Sequence, residues 1–158
     1  MSKITPFLWF NDNADEAAQF YASVFKNSKV LAVTRYGDAG PGPKGSVMTV
    51  NFELDGQRFT ALNGGPQFPF TEAVSFVVNC DDQQEVDYYW EKLTSGGGTP
   101  VQCGWLKDRY GLSWQVVPKA LPQLLQQTDA RKLQRVTQVL LQMQKIDISA
   151  LERAAAMT

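Results

Sequence analysis

Few residues in this chain can carry chemistry near neutral pH. It contains no histidine, so a general base would have to be a carboxylate, lysine, cysteine or tyrosine with a shifted pKa. Cys80 and Cys103 stand alone, without CxxC spacing or histidine partners, and read as buried free thiols rather than a disulfide or a nucleophile. Asp81, Asp82 and Glu85 look like capping residues, and Lys107 and Asp108 sit at a tight turn, where a structural role is expected. The run Trp105 to Pro118, WLKDRYGLSWQVVP, is the most informative stretch. A strand ends there, the chain turns at Asp108-Arg109-Tyr110-Gly111, and a second strand carries Gln115. Its side chain offers a hydrogen-bonding amide with one neutral carbonyl oxygen.

The elements that position these residues occur twice. Asn13 to Glu16 and Asp82 to Glu85 both read as capping boxes. From these caps, Phe20-Tyr21 and Tyr89-Trp90 fall at equal offsets, as do Val24 and Leu93, giving each helix an apolar stripe. A short apolar strand precedes each cap, Pro6 to Phe10 and Val74 to Asn79, and a new strand follows each helix, near Val30 and near Thr99. Ser46 to Leu54 and Gln57 to Leu62 flank Asp55-Gly56, a hairpin signal. In the second half, Thr99 to Leu106 and Leu112 to Val117 flank the turn at Gly111. Counted from the turn glycines, Phe59 matches Trp114 and Thr60 matches Gln115. Each half therefore reads as βαβββ. The fold class is α+β, with repeat one over about 4–63, repeat two over about 73–118, and residues 119–158 as a helical extension. Pro122 suits a first helical turn around Leu121 to Gln126, and Asp129 caps a longer helix with Leu133, Val136, Leu140 and Met143 on one stripe. That extension packs on its own domain or on a partner subunit. Arg131, Lys132 and Arg135 read as a solvated face of that helix.

Between the halves lies the Gly/Pro-rich connector Asn63 to Phe70. The segment 37–45, GDAGPGPKG, lacks the spacing of a phosphate loop. It reads as a mobile hairpin tip, able to lie over a cavity mouth. A net charge of -1 supplies no field for nucleic acid or an anionic membrane. No run approaches the ~18 apolar residues of a spanning helix, and MSKITPFLWF shows no secretory signal. The expected setting is cytoplasmic.

The tandem βαβββ pattern resembles the vicinal oxygen chelate superfamily, which includes glyoxalases, bleomycin-resistance proteins and extradiol dioxygenases. Pro6 to Phe10, Asn13 to Phe25, Arg35-Tyr36-Gly37 with Gly42 to Ser46, Val74 to Asp82 and Gly104 to Pro118 are similar to one subfamily. It is PhnB-like and labelled 3-demethylubiquinone-9 3-methyltransferase. The resemblance implies a glyoxalase-like pseudo-barrel, a homodimer, and metal positions on the first and last strand of each half. Those positions fall at Pro6, Ser75, Thr60 and Gln115, none of which supplies an imidazole or a carboxylate. No metal is expected. Strand alternation from these positions puts Leu8, Phe10, Thr60, Ser75, Val77, Asn79, Ser113 and Gln115 on a cavity face, with Trp9 and Trp114 beneath the helices. That composition suits a neutral or weakly polar organic ligand; a filled core is the alternative.

Three functions remain open: metal-independent binding of an aromatic or quinone-like molecule, the methyltransferase named by the label, or a metal-dependent lyase, isomerase or dioxygenase. The second would use S-adenosylmethionine as cofactor, yet no strand, glycine-rich loop and helix of the kind that often holds it is visible.

Overall fold

A computed structural model describes residues 2–126 and 129–157. The chain divides into two compact units, Met1–Phe70 and Thr71–Thr158.

The first unit contains β1 (Phe7–Phe10), α1 (Ala14–Val24), β2 (Lys29–Arg35), β3 (Val47–Leu54) and β4 (Gln57–Asn63). Its sheet runs β1-β4-β3-β2, with β1 parallel to β4 and the other pairs antiparallel. Asp55 and Gly56 both take positive φ, 47° and 83°, as the primed two-residue hairpin between β3 and β4 requires. Ala14, Ala17, Ala18, Tyr21 and Val24 form the buried stripe of α1. It lies on the sheet face of Phe52 and Phe59, where Tyr21 stacks on Phe52 at 6.3 Å. Each fully buried side chain of that size contributes roughly 1.5–3 kcal/mol.

The second unit repeats the order: β5 (Ser75–Cys80), α2 (Gln83–Thr94), β6 (Thr99–Pro100), β7 (Trp105–Lys107) and β8 (Ser113–Pro118). Its sheet runs β5-β8-β7-β6. The strand expected from Thr99 to Leu106 is interrupted, because Cys103 and Gly104 turn it with φ of 60° and 85°. Val86, Tyr89 and Leu93 are the buried stripe of α2. Helices α3 (Ala120–Leu125), α4 (Ala130–Leu141) and α5 (Ile148–Ala156) follow. Leu121, Val136, Ile146 and Leu151 form their common core, with Val117 of β8 packed against it. Asp129 caps α4, accepting from the backbone N–H groups of Arg131 and Lys132. Arg135 is not a solvated charge: its Nε donates to the Ala154 carbonyl at 3.0 Å, and its guanidinium also reaches Met157. It thereby serves the unsatisfied carboxyl end of α5. Among the described residues no helix is long and apolar enough to cross a membrane.

The two helix starts differ, contrary to the matched capping boxes read from sequence. Asp82 caps α2 as expected, accepting from Glu85 N–H at 2.9 Å, while the Glu85 carboxylate accepts from Asp81 N–H at 2.6 Å. Asn13 makes no side-chain cap bond. Asn63, at the end of β4, caps α1 by accepting from Ala14 N–H at 2.8 Å. The strand-to-helix link has three residues (11–13) in the first unit and two (81–82) in the second.

Candidate functional site

That one-residue difference means that positions at equal offsets from the two caps lie on opposite faces of their strands. In the second unit, Ser75 pairs with Ser113, Val77 with Gln115 and Asn79 with Val117. Alternation then puts Ser75, Val77, Asn79, Ser113 and Gln115 on one face, with Val78, Cys80, Trp114 and Val116 behind them in the core. Gln115 Nε2 donates to Ser75 Oγ at 3.0 Å. Val77 and Asn79 are exposed, and Ser75 and Gln115 are half-buried. Ser113 is 1% exposed, and its hydroxyl has no hydrogen-bond partner among the described residues. Trp105 pairs with Gln115 and Lys107 with Ser113, so both border this face. The Lys107 ammonium forms an ion pair with Glu72. Its hydrogen bond holds the Glu72 carboxyl below the usual range, with a smaller contribution from a backbone bond. The edge of the face is therefore charge-neutral.

In the first unit the expectation fails for Leu8 and Phe10. Thr60 pairs with Phe7, while Leu8 pairs with Ala61 and Phe10 with Asn63. Leu8 and Phe10 are buried, on the side where Phe52 and Phe59 meet α1. The open face of β1 instead carries Phe7, 59% exposed, and Trp9. Counting back from the caps carries the extra link residue into the strand, and a slip of one reverses every side chain. Pro6 precedes β1 and acts through its carbonyl, which accepts from Thr60 N–H. Thr60 donates its hydroxyl to Asn51 at 2.9 Å. Trp9 also departs from expectation. It is not beneath α1: its ring meets Phe68 edge-on at 4.9 Å, and its indole N–H donates to the Gly65 carbonyl. Trp114 is in the core as expected, donating to Asp108 at 2.9 Å.

Asp108 is a structural carboxylate. It is 3% exposed and also accepts from the N–H groups of Tyr110 and Leu112, which closes the turn before β8. Cys80 is buried, and that burial pushes its thiol up to about 12, with Glu85 and the neighbouring aspartates adding to the shift. It cannot serve as a thiolate near pH 7.

The loop 37–45 packs against Tyr36 and forms one wall of a cleft. A Cβ on Gly40 would come within 2.5 Å of the Tyr36 ring, and one on Gly42 within 2.3 Å. Tyr36 donates its hydroxyl to the Asn63 carbonyl. With residues 11–15 and 63–67, this loop encloses a cleft of about 550 Å³. A second cleft, of about 350 Å³, lies between Ser2, Ile4 and Thr5 and the tip of the β3–β4 hairpin. None of the eight residues expected from sequence is among those lining either cleft. Sequence reading missed Tyr36 and Asn63; the glycines flanking Tyr36 were the available signal.

Both units have the parallel-plus-antiparallel βαβββ layout of the vicinal oxygen chelate superfamily, to which this chain belongs. The first and last strand of each half are where that resemblance implies a metal. Here the donor set does not fit one: Thr60 is bonded to Asn51, Gln115 to Ser75, and no group of three or more His, Cys, Asp or Glu that could hold an ion occurs among the described residues. The comparison is specific below that level. The profile of the 3-demethylubiquinone-9 3-methyltransferase family matches residues 2–117, and the chain belongs to that family.

The PhnB protein of Bacillus cereus, whose structure carries the same methyltransferase designation, is 36% identical. The match spans 74% of this chain and 99% of that one, with a TM-score of 0.68. PA1353 from Pseudomonas aeruginosa is 24% identical over 75% of this chain and 98% of its own, with a TM-score of 0.62. The fosfomycin resistance protein FosX of Mesorhizobium loti shares the fold at 13% identity, covering 80% and 100%, with a TM-score of 0.57. No curated protein matches the chain.

Proposed function

We propose that this protein binds a small, neutral, aromatic or quinone-like molecule on the open face of β5 and β8, without a metal, and acts by sequestration or sensing. The carrying observation is the Ser113 hydroxyl, buried beside the Ser75–Gln115 pair with no partner among the described residues. Burying such a group without a bond costs about 1–3 kcal/mol, and a ligand acceptor would recover it. Because Ser75 accepts from Gln115, its own proton and the Gln115 carbonyl oxygen remain for a ligand. Val77 and Trp105 supply apolar surface on either side of Gln115. Thr60 would play the corresponding part in the first unit.

We propose a homodimer, supported by the exposed Val30, Leu31 and Val33 of the edge strand β2; size-exclusion chromatography with light scattering tests the assembly. Calorimetric and thermal-shift titrations against short-chain quinones and phenols test the ligand. Saturable stabilisation that weakens at least fivefold in Ser113→Ala supports the reading, and no response to any of them removes it.

The family match favours a second reading, the methyltransferase itself, acting on a demethylated ubiquinone precursor with S-adenosylmethionine. Neither strand-to-helix link, 11–13 or 81–82, contains a glycine, so neither is the usual cradle for that cofactor. Saturable binding of S-adenosylmethionine with methyl transfer would replace the first reading by the second.

A further inference from the structure

We infer that the cleft at the amino-terminal end of α1 is a binding site for a small organic cation, an ammonium or guanidinium carried on a compact apolar body. The cleft lies wholly in the first unit and is independent of the face of β5 and β8. Its volume of about 550 Å³ falls in the range of small-molecule sites. Its walls are held in place before any ligand arrives. One is the loop locked on Tyr36 by Gly40 and Gly42. The other is the connector, tied by Gly64 N–H to the Phe10 carbonyl, by Gly65 N–H to the Asn11 carbonyl and by Trp9 to Gly65. Such fixing lowers the ordering cost of binding.

The charge of the cleft selects the class. Asp12 and Asp15 are its only charged lining residues, and among the described residues neither carboxylate is in an ion pair. Two basic residues adjoin the wall in sequence, and neither lines the cleft: Lys44 is paired with Asp38 at 3.0 Å, and Arg35 donates to the Gly45 carbonyl at 3.0 Å. A helix amino terminus ordinarily attracts anions. Here its first amide is already taken by Asn63, and Asp15 and Glu16 occupy the first turn, so an anion would meet repulsion instead. Pro41, Pro43 and Val47 give the remainder an apolar surface, which a bare metal ion would not use.

Agmatine and phenethylamine are suitable probes, with benzyl alcohol as the neutral control, titrated into the full chain by calorimetry and by amide shifts in NMR spectra. We expect saturable binding of at least one cation and none of the alcohol. Affinity should fall at least tenfold in the Asp12→Asn/Asp15→Asn double variant, with an unchanged melting temperature for Asp12→Asn alone, since Asp12 lies outside the helix. Three results would overturn the inference: no saturable cation, affinity unchanged in the double variant, or stoichiometric displacement by magnesium, which would make the site inorganic.

Discussion

Replacing Ser113 by alanine should make the protein more stable and a poorer binder at once. The substitution deletes one buried oxygen that has no partner among the described residues. Removing an unsatisfied hydroxyl recovers about 1–3 kcal/mol of desolvation. The space left by a single atom takes back only about 0.3 kcal/mol at ~24 cal/mol per Å³ of cavity. Ser113 pairs with both Ser75 and Lys107 through backbone alone, and those ladders survive the change. The net gain is about 0.7–2.7 kcal/mol, which in a chain of this length raises the melting temperature by roughly 1–11 °C. Urea unfolding followed by circular dichroism should show a higher midpoint with an unchanged slope. A variant no more stable than the parent would refute the reasoning, because it would mean that the hydroxyl is already satisfied.

Other perturbations separate structure from site. Asp108→Ala leaves the indole N–H of Trp114 and the amides of Tyr110 and Leu112 without their shared acceptor; urea unfolding should show a loss of about 3–5 kcal/mol. Asn63→Ala removes the cap of α1 and the bond to Val47, and should cost about 1–2 kcal/mol, with the first amides of α1 losing hydrogen-exchange protection. Iodoacetamide at pH 8 should label half-buried Cys103 before Cys80, as peptide mass mapping will show. Because the folded protein holds the Cys80 proton up to about pH 12, that residue's contribution is complete below the ordinary thiol pKa. It is lost as pH rises from there through the folded value. Cys80→Ser should flatten the alkaline fall in stability.

What was legible in the sequence was what local chemistry determines. The Asp55-Gly56 hairpin, the Asp82 and Asp129 caps and the helix stripes each depend on residues close in the chain. The correspondence of Thr60 to Gln115 was readable because each hairpin has a turn glycine, Gly56 or Gly111, that can be counted from. The face of β5 and β8 followed for the same reason. The face of β1 did not, because nothing local marks where that strand ends before residues 11–13. The cap of α1 was hidden for a related reason: Asn63 lies 49 positions from Ala14. The loop around Tyr36 looked free because glycine-rich sequence suggests flexibility; here two glycines are instead the only residues small enough to lie against that ring.

The three-residue link after β1 has a wider meaning for how duplicated folds diverge. Lengthening a connection by one residue leaves the helix, its stripe and the pairing of the preceding strand undisturbed, because the link takes up the extra residue. It shifts by one every offset counted from the helix back to that strand, so equal offsets in the two halves mark opposite faces. Donors grafted onto this scaffold by matching the halves from their helices would face the core in the first unit and the open sheet in the second.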